Sequence, residues 1–338
     1  MTRLPLDRPA YLGLDRDPAW RDLVAGGLAR YGTHFAGSRR AAYCPAVYGE
    51  AEAALATWTS APAALTMSSA SLASATLVEA LASGGFAVLA GPLAHAAWRR
   101  PGLVEAGASR EAWRARAREL LAAGRSVALV TDRVCALRAR EADVAWIGDL
   151  AAGAADGGGR IALVVDDSHA LGALRDGRGS YAAYRAALPP AVAVVTLASL
   201  GKAFSVPGAV VAGAAWAVEV VRASVGFGGA SPLPPAYAHA LAAGLRGGGA
   251  SLVAQRLRRL RDLVREVEGL GIAGPHVAGH PVFRVDDARQ RGALLAGGIG
   301  LSEIAYPTPA SPVASRLVLR ADGGAGVVEA LGAALATG

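Results

Sequence analysis

The chain has 338 residues, of which 53% are hydrophobic and 18% are charged. This composition excludes a disordered chain and leaves length for a large core with a smaller appended unit. The net charge is +7, but the arginines are scattered over helical stretches such as 110–118 and 256–265. That distribution is typical of solvated helix faces, so we predict no nucleic-acid partner.

The chain also lacks the marks of export or membrane insertion. Its two cysteines, Cys44 and Cys135, cannot form a disulfide framework, and its N-terminus has no apolar core of the secretory kind. We therefore predict a cytoplasmic protein. Residues 188–218 carry a single charge and imitate a membrane span in a hydropathy plot. Their prolines and glycines favour two buried strands flanking a loop instead.

After an N-terminal arm, apolar patterns predict alternating helices and strands. The predicted helices are Ala19–Tyr31, Gly49–Trp58, Ser71–Ala82, Arg110–Ala123, Asp143–Ala155, Ala236–Leu245 and Ser251–Leu270. The predicted strands are Ala63–Met67, Phe86–Ala90, Ser126–Thr131, Ile161–Asp166, Val192–Leu197, Ala209–Ala212, Pro281–Val285 and Arg316–Arg320. Buried β-branched runs between helices indicate an α/β fold with a mostly parallel sheet covered on both faces. We expect an arm and helix in residues 1–35, a large α/β domain in 36–224 and a small α+β domain in 225–338.

The 34 basic residues comprise one lysine, Lys202, and 33 arginines. Arginine cannot replace lysine where a deprotonated amine must attack a carbonyl, because its guanidinium stays protonated. Lys202 follows Ser199-Leu200-Gly201 in a loop predicted between two apolar strands, where partial desolvation lowers the pKa of an amine. This position favours an imine-forming lysine, with Ser199 donating to a cofactor phosphate; a solvated loop lysine is the alternative.

Asp166 ends a predicted buried strand, and His169 follows three residues later. A buried carboxylate needs a partner. In a pyridoxal-phosphate (PLP) site that partner is the protonated pyridine nitrogen, which keeps the ring an electron sink. His169 would then hydrogen-bond the phenolic oxygen of the cofactor. The alternative is an aspartate that caps a turn.

Two further segments are expected at the carboxyl ends of the strands, where open α/β sheets bind ligands. The segment Ser68-Ser69-Ala70-Ser71 lies between a strand and a helix, so its free N–H groups and hydroxyls suit an anion. A plain serine cap of the helix is the alternative. His95 follows the strand at 86–90 and is placed to stack on an aromatic ring. We predict no metal site.

These segments resemble the α-oxoamine synthase family of fold-type I (aspartate aminotransferase-like) PLP enzymes. The resemblance runs through most of the chain and is carried by Tyr11-Leu12-Gly13-Leu14, Gly37-Ser38-Arg39, Val165 to Gly172, Gly177-Arg178-Gly179, Ser199 to Lys202, Pro234-Pro235 and Pro307-Thr308. It implies PLP held by Lys202 as an imine, paired with Asp166, contacted by His169 and stacked on His95. It also implies a homodimer with the active site at the interface. The phosphate would be bound by Ser199, Ser69, Ala70 and Ser71, and by Ser231 of the other subunit.

The departures from the family lie on the substrate side. Ala136 takes the place of a serine near the ring, and Val318 takes the place of the arginine that binds the substrate carboxylate. Arg316 and Arg320 stand close to that position, so we predict them, with Arg39, as the substrate-binding residues.

The leading hypothesis is an acyltransferase that condenses an amino acid with an acyl thioester, on CoA or a carrier protein, in a decarboxylative Claisen-type reaction. The alternative is another PLP-dependent reaction without a thioester, such as aminotransfer, racemisation, decarboxylation or aldol cleavage. Ala136 and Val318 favour the alternative. A third hypothesis, a non-catalytic subunit of the same fold, is disfavoured by the retention of Lys202.

Overall fold

The computed structural model describes residues 4–104, 106–154, 158–247 and 251–337. Its strands are β1 (Leu4–Leu6), β2 (Ala63–Met67), β3 (Phe86–Ala90), β4 (Ser126–Asp132), β5 (Val134–Cys135), β6 (Arg140–Glu141), β7 (Ile161–Asp166), β8 (Val192–Ser199), β9 (Ala209–Gly213), β10 (Val282–Arg284), β11 (Ile299–Ala305) and β12 (Val313–Val318). Its helices are α1 (Pro18–Tyr31), α2 (Val47–Thr59), α3 (Ala70–Ser83), α4 (Arg110–Ala122), α5 (Trp146–Ala154), α6 (Tyr181–Ala187), α7 (Leu200–Phe204), α8 (Ala215–Ala223), α9 (Val225–Gly228), α10 (Pro235–Leu245), α11 (Leu252–Glu268), α12 (Ala288–Ala296) and α13 (Ala325–Leu335).

The main sheet has six strands in the order β2-β9-β8-β7-β4-β3, which confirms the predicted, mostly parallel sheet. Strands β3, β4, β7 and β8 pair in parallel. Strand β9 is antiparallel to both of its neighbours. Its direction follows from the short connection at residues 200–208, because a parallel crossover needs a dozen or more residues.

Both faces of the main sheet are covered, because its central strands alternate apolar side chains between two buried clusters. Val88, Val130 and Val164 pack on one face with side chains of α3 and α8. Leu89 and Leu129, their neighbours along the strands, pack on the other face with side chains of α4, α5 and α6. The carboxyl ends of the parallel strands therefore remain as the edge open to a ligand.

A second sheet of four strands has the order β1-β11-β12-β10 and packs against α11 and α13. Its first strand comes from the N-terminal arm, which pairs in parallel with β11. Neither strand was predicted, since β1 has three residues and the second half of β11 is partly exposed. The last predicted strand, Arg316–Arg320, is displaced, because β12 begins at Val313 and ends at Val318.

The predicted loop around Lys202 contains the short helix α7, so the lysine lies on a helical turn rather than on an irregular loop. Gly208 returns the chain to β9 with a φ of 119°. Separately, the predicted end of α5 at Ala155 lies outside the described residues. No helix in the described part of the chain combines the length and apolar character that a bilayer crossing requires.

We expect Gly208→Ala to reduce the free energy of unfolding by roughly 1–3 kcal/mol. An added Cβ would lie 2.8 Å from the Met67 carbonyl oxygen, in a backbone conformation that alanine rarely adopts. Denaturant unfolding measures the change. Gly49→Ala in α2 is the control, since nothing lies within 4 Å of its added Cβ; equal losses in both variants would contradict the prediction.

Candidate active site

A cavity of about 610 Å³ lies at the carboxyl ends of the main-sheet strands and is closed on its other side by the second sheet. We name it the active-site cavity. The main-sheet side contributes His95, Asp132, Ala136, His169 and Lys202, and the second-sheet side contributes Arg284, Ser302, Ile304, Tyr306 and Arg316. The fold thus brings together three of the four residues predicted to contact the PLP ring or its imine, namely Lys202, His169 and His95.

The fourth, Asp166, lies at the end of β7, where it is 8% exposed. Its Oδ1 accepts a hydrogen bond from the Ser168 N–H at 2.9 Å, and its Oδ2 accepts one from the Trp98 indole N–H at 2.9 Å. Two donors therefore fix the orientation of this carboxylate. A fixed acidic group behind a cavity suits the partner of a pyridinium nitrogen.

Asp132 is a site residue that sequence reasoning missed. It ends β4 directly opposite Asp166 in the parallel register, and its Oδ1 accepts from the His95 N–H at 2.8 Å. Burial, and then the charge of Asp166, raise the pKa of Asp132 well above its usual range. Asp132 can therefore hold a proton at pH values where an exposed aspartate is ionised. The sequence signal that could have identified Asp132 is its position directly after a predicted buried strand, like that of Asp166 at the end of another.

The amine of Lys202 lies in the same electrostatic field. Burial lowers its pKa, while Asp166 and Asp132 oppose the shift and Arg316 adds to it. Desolvation outweighs the attraction to the carboxylates, so a larger fraction of the amine is unprotonated than in free lysine. An unprotonated amine is the form that attacks an aldehyde, which supports the imine-forming role predicted for Lys202.

His169 is held by a residue from the N-terminal arm. The Tyr11 hydroxyl lies 2.6 Å from His169 Nδ1, and Tyr11 is fully buried. Burial raises the pKa of Tyr11, so the phenol keeps its proton, and we assign Tyr11 as the donor to Nδ1. Burial also lowers the pKa of His169 well below its usual range. His169 is therefore neutral with its proton on Nε2, ready to donate to an acceptor in the active-site cavity.

The backbone around His169 is fixed by two more contacts. Tyr11 N–H donates to the Lys202 carbonyl oxygen at 3.1 Å. His280 Nε2 donates to the His169 carbonyl oxygen at 2.8 Å, and burial lowers the pKa of His280 to about 4. Sequence reasoning gave neither Tyr11 nor His280 a role, although Tyr11 begins a segment that carried the family resemblance.

His95 is fixed through both of its ring nitrogens. Nδ1 accepts from the Ala97 N–H at 3.0 Å, and Nε2 lies 2.8 Å from the Tyr306 hydroxyl. Since Nδ1 is an acceptor, the neutral ring carries its proton on Nε2 and donates it to Tyr306. Burial lowers the pKa of His95, which favours this neutral form. An immobilised ring beside Lys202 is compatible with the stacking role predicted for it.

The residues predicted to bind phosphate lie near helix starts rather than on the described lining of the active-site cavity. Ser69 Oγ accepts from the Leu72 N–H at 3.1 Å and caps α3, as the alternative interpretation of that segment had it. Ser71 Oγ accepts from Arg100 at 2.6 Å. The N–H of Ser199, which precedes α7, donates to Ser168 Oγ at 2.9 Å. Phosphate binding by Ser69, Ala70, Ser71 and Ser199 stays a prediction.

Arg39 and Ser231 lie together in a small pocket that is separate from the active-site cavity. Arg39 donates to Glu52 at 3.0 Å and to Thr66 at 3.2 Å, and its side chain is 6% exposed. Within one chain the structure does not bring Arg39 to Lys202 but places it in a buried ion pair, and its contact with substrate stays a prediction. The donation by Ser231 to a partner subunit's phosphate stays a prediction.

The two C-terminal arginines predicted to bind substrate lie in different environments. Arg316 lines the active-site cavity, donates to Ser302 Oγ at 3.0 Å and keeps a buried Nε that has no hydrogen-bond partner in the described structure. Arg320 pairs with Asp15 at 2.7 Å and Asp322 at 2.8 Å and does not line that cavity. Because β12 ends at Val318, Arg320 does not continue the strand face of Arg316, as the sequence analysis assumed. Its contact with substrate stays a prediction.

Comparison with known proteins agrees with this geometry. A family model described as aminotransferase class I and II matches residues 154–286. An 8-amino-7-oxononanoate synthase of Methylococcus capsulatus is 33% identical over 243 residues, which are 70% of this chain and 61% of the relative. A protein of the same name from Klebsiella pneumoniae is 33% identical over 304 residues, which are 82% of this chain and 73% of the relative.

This chain belongs to the α-oxoamine synthase family of PLP-dependent transferases. It spans 61% of the length of the Methylococcus relative. A solved serine palmitoyltransferase from S. paucimobilis with a bound PLP–myriocin aldimine has a TM-score of 0.76 at 20% identity. The alignment covers 99% of this chain and 88% of that one, so the two share the fold-type I architecture over nearly all of this chain.

We expect the amine of Lys202 to react at lower pH than free lysine, because burial lowers its pKa. Trinitrophenylation of the PLP-free protein, followed on the peptide that contains Lys202, measures the rate against pH. One lysine in the sequence makes the assignment unambiguous. A midpoint at or above the free-lysine value, about 10.4, would contradict the expectation.

We expect Tyr11→Phe to alter the pH dependence of the protein's PLP absorbance while leaving PLP uptake intact. Without the phenol, neither nitrogen of His169 is fixed as the acceptor, so the population that donates through Nε2 falls. Spectrophotometric titration reads the change directly. Tyr31→Phe in α1 is the control. Identical titration curves for the two variants would contradict a role for Tyr11 in orienting His169.

Proposed function

We propose that the chain is a PLP-dependent acyltransferase that condenses an amino acid with an acyl thioester. The observation that carries the proposal is the meeting of its single lysine with His95, His169 and Arg316 in one cavity, in front of the fixed carboxylate of Asp166. The relatives named 8-amino-7-oxononanoate synthase support this reaction class.

The residues present fit PLP. Lys202 supplies the amine, Asp166 an oriented carboxylate, His169 an N–H donor and His95 an immobilised ring. When bound, PLP supplies an electron sink for negative charge at the α-carbon of the amino acid. Phosphate binding is assigned to Ser199, Ser69, Ala70 and Ser71 of one subunit and Ser231 of the other.

Arg316 is the residue we assign to the substrate carboxylate. Its guanidinium is largely buried and donates once, to Ser302, while its Nε remains without a partner in the described structure. An arginine fork pairs with a carboxylate through two parallel hydrogen bonds, which would satisfy Nε. Val318, two residues further along β12, is 1% exposed in the apolar core and cannot bind a carboxylate, so we assign that role to Arg316.

Proton transfer at the α-carbon is assigned to the amine of Lys202. Burial lowers the pKa of this amine, so a larger fraction of it is unprotonated, and able to accept a proton, than in free lysine. Asp132 stands beside Asp166 with a raised pKa and can hold a proton within the same site. The N–H of His169, fixed by Tyr11, would bind an oxygen that gains negative charge.

The thioester substrate is supported by the size and charge of the active-site cavity. Its volume of about 610 Å³ lies within the usual range for ligand pockets. Arg99 and Arg138 are exposed on its lining, where positive charge attracts the phosphates of a thioester carrier. CoA and a phosphopantetheine arm on a carrier protein share this chemistry.

The alternative is a PLP-dependent reaction of an amino acid without a thioester. Ala136 favours it, because this 3% exposed alanine on the cavity lining offers no hydroxyl for a second substrate. We also propose a homodimer that completes the site and a cytoplasmic location. The two cysteines, both free in the structure, are compatible with that compartment.

The deciding experiment incubates the PLP-loaded protein with a panel of amino acids, with and without acyl-CoAs and acyl-carrier proteins. The PLP absorbance and the release of free thiol are followed together. Thiol release that requires one particular amino acid supports the acyltransferase. A spectral change without thiol release from any donor would replace it with the alternative reaction. A protein that binds no PLP would overturn both.

We expect Arg316→Gln to raise the KM for the amino acid roughly tenfold or more with a smaller effect on kcat, since a hydrogen bond to a charged group contributes about 1.5–3 kcal/mol. Steady-state kinetics provides the measurement. Arg320→Lys is the matched control on the same segment, because its charge pairs with Asp15 and Asp322 away from the cavity. A larger rise in KM for the Arg320 variant would reverse the assignment.

A further inference from the structure

A second cavity, of about 540 Å³, is lined by arginines and lies apart from the active-site cavity. We propose that this arginine cavity binds a multiply charged, phosphate-bearing anion of nucleotide size. The proposal is independent of the proposed function, because the two cavities share no lining residue in the described structure. Its five arginines are Arg133, Arg175, Arg178, Arg261 and Arg265.

Arg133 is a buried and oriented cation of this cavity. Its side chain is only 10% exposed, its Nη2 lies 3.0 Å from Glu141 Oε2, and its guanidinium lies 4.9 Å from the centre of the Tyr184 ring. Burying a charge carries a desolvation cost that a solvated surface arginine avoids. The fold therefore fixes a guanidinium at this concave site, as an anion-binding site requires.

The other arginines reach the cavity from two separate segments. Arg175 and Arg178 belong to the loop after β7, and Arg261 and Arg265 belong to α11. Arg178 lies 5.6 Å over the ring of Trp58, which orients it without neutralising its charge. Arg261 forms no ion pair with any residue that the structure describes.

The positive charges of the cavity are only partly compensated. Glu141 is shared by two of the five arginines, Asp262 pairs with Arg265, and Asp176 lines the cavity. Buried Asp167 also acts on the charge of Arg133. Five guanidinium groups thus face four carboxylates, and Arg178 and Arg261, which have no ion pair in the described structure, add repulsive like charge to a shared concavity. A multivalent anion would relieve this repulsion, and the guanidinium fork matches two phosphate oxygens.

A small molecule fits these observations better than an acidic protein surface. The site is a concavity of a size typical for ligand pockets, whereas protein partners cover flatter and larger areas. Several guanidiniums around one volume favour a ligand with more than one phosphate group, since each can take a separate pair of donors.

The test titrates the protein with inorganic pyrophosphate by calorimetry and by thermal unfolding, with sodium chloride matched for ionic strength. We expect Arg261→Gln to weaken pyrophosphate binding roughly tenfold, the loss of one charge-assisted contact. The same variant should unfold without ligand at the same or a higher temperature, because one repulsive charge is gone. Arg259→Gln is the control, since Arg259 is exposed on the same helix and lies off the cavity lining.

Three outcomes would overturn the proposal. The first is a response to pyrophosphate no larger than that to sodium chloride. The second is equal weakening by Arg261→Gln and Arg259→Gln, which would indicate the general charge of α11. The third is weakening by Arg316→Gln but not by Arg261→Gln, which would move the anion to the active-site cavity.

Discussion

The arrangement of the site depends on one buried residue, Tyr11. Its N–H donates to the carbonyl of Lys202, its carbonyl accepts from the N–H of Ala321, and its hydroxyl donates to the ring of His169. The N-terminal arm thereby links α7, which carries Lys202, to the loop that carries His169 and to the segment that follows the second sheet. These bonds join segments far apart in sequence, and they add to the direct link between the two segments, in which the Ser199 N–H donates to Ser168 Oγ.

Desolvation then sets the protonation of the groups that Tyr11 brings together. Burial lowers the pKa of Lys202, His95 and His169, and it raises the pKa of Asp132. All four shifts favour the neutral form, so the site offers an amine that can attack an aldehyde, one N–H donor on His169 and a proton held by Asp132. Buried polar groups need defined partners: both ring nitrogens of His95 have one within the fold, whereas Tyr11 is the partner of His169 Nδ1 alone.

The sequence was sufficient to predict the main sheet and the meeting of Lys202, His169 and His95 in one cavity, because both leave local signals. Runs of β-branched residues identify buried strands, and the strand ends place Asp166 and His169. Lys202 was identifiable because no arginine can replace an imine-forming amine. Weaker signals failed: β1 and β11 are short or half exposed, and the prediction for Arg320 assumed a strand that continues past Val318.

The sequence could not predict which residues from distant segments lie next to each other in the fold. The carboxyl pair of Asp132 and Asp166 follows from the register of β4 and β7, which local patterns leave open. The end of β4 also contributes to both cavities. Asp132 lines the active-site cavity, and the next residue, Arg133, lines the arginine cavity. Arg133 lies one residue past the end of β4, so this short chain segment contributes to two chemically different sites.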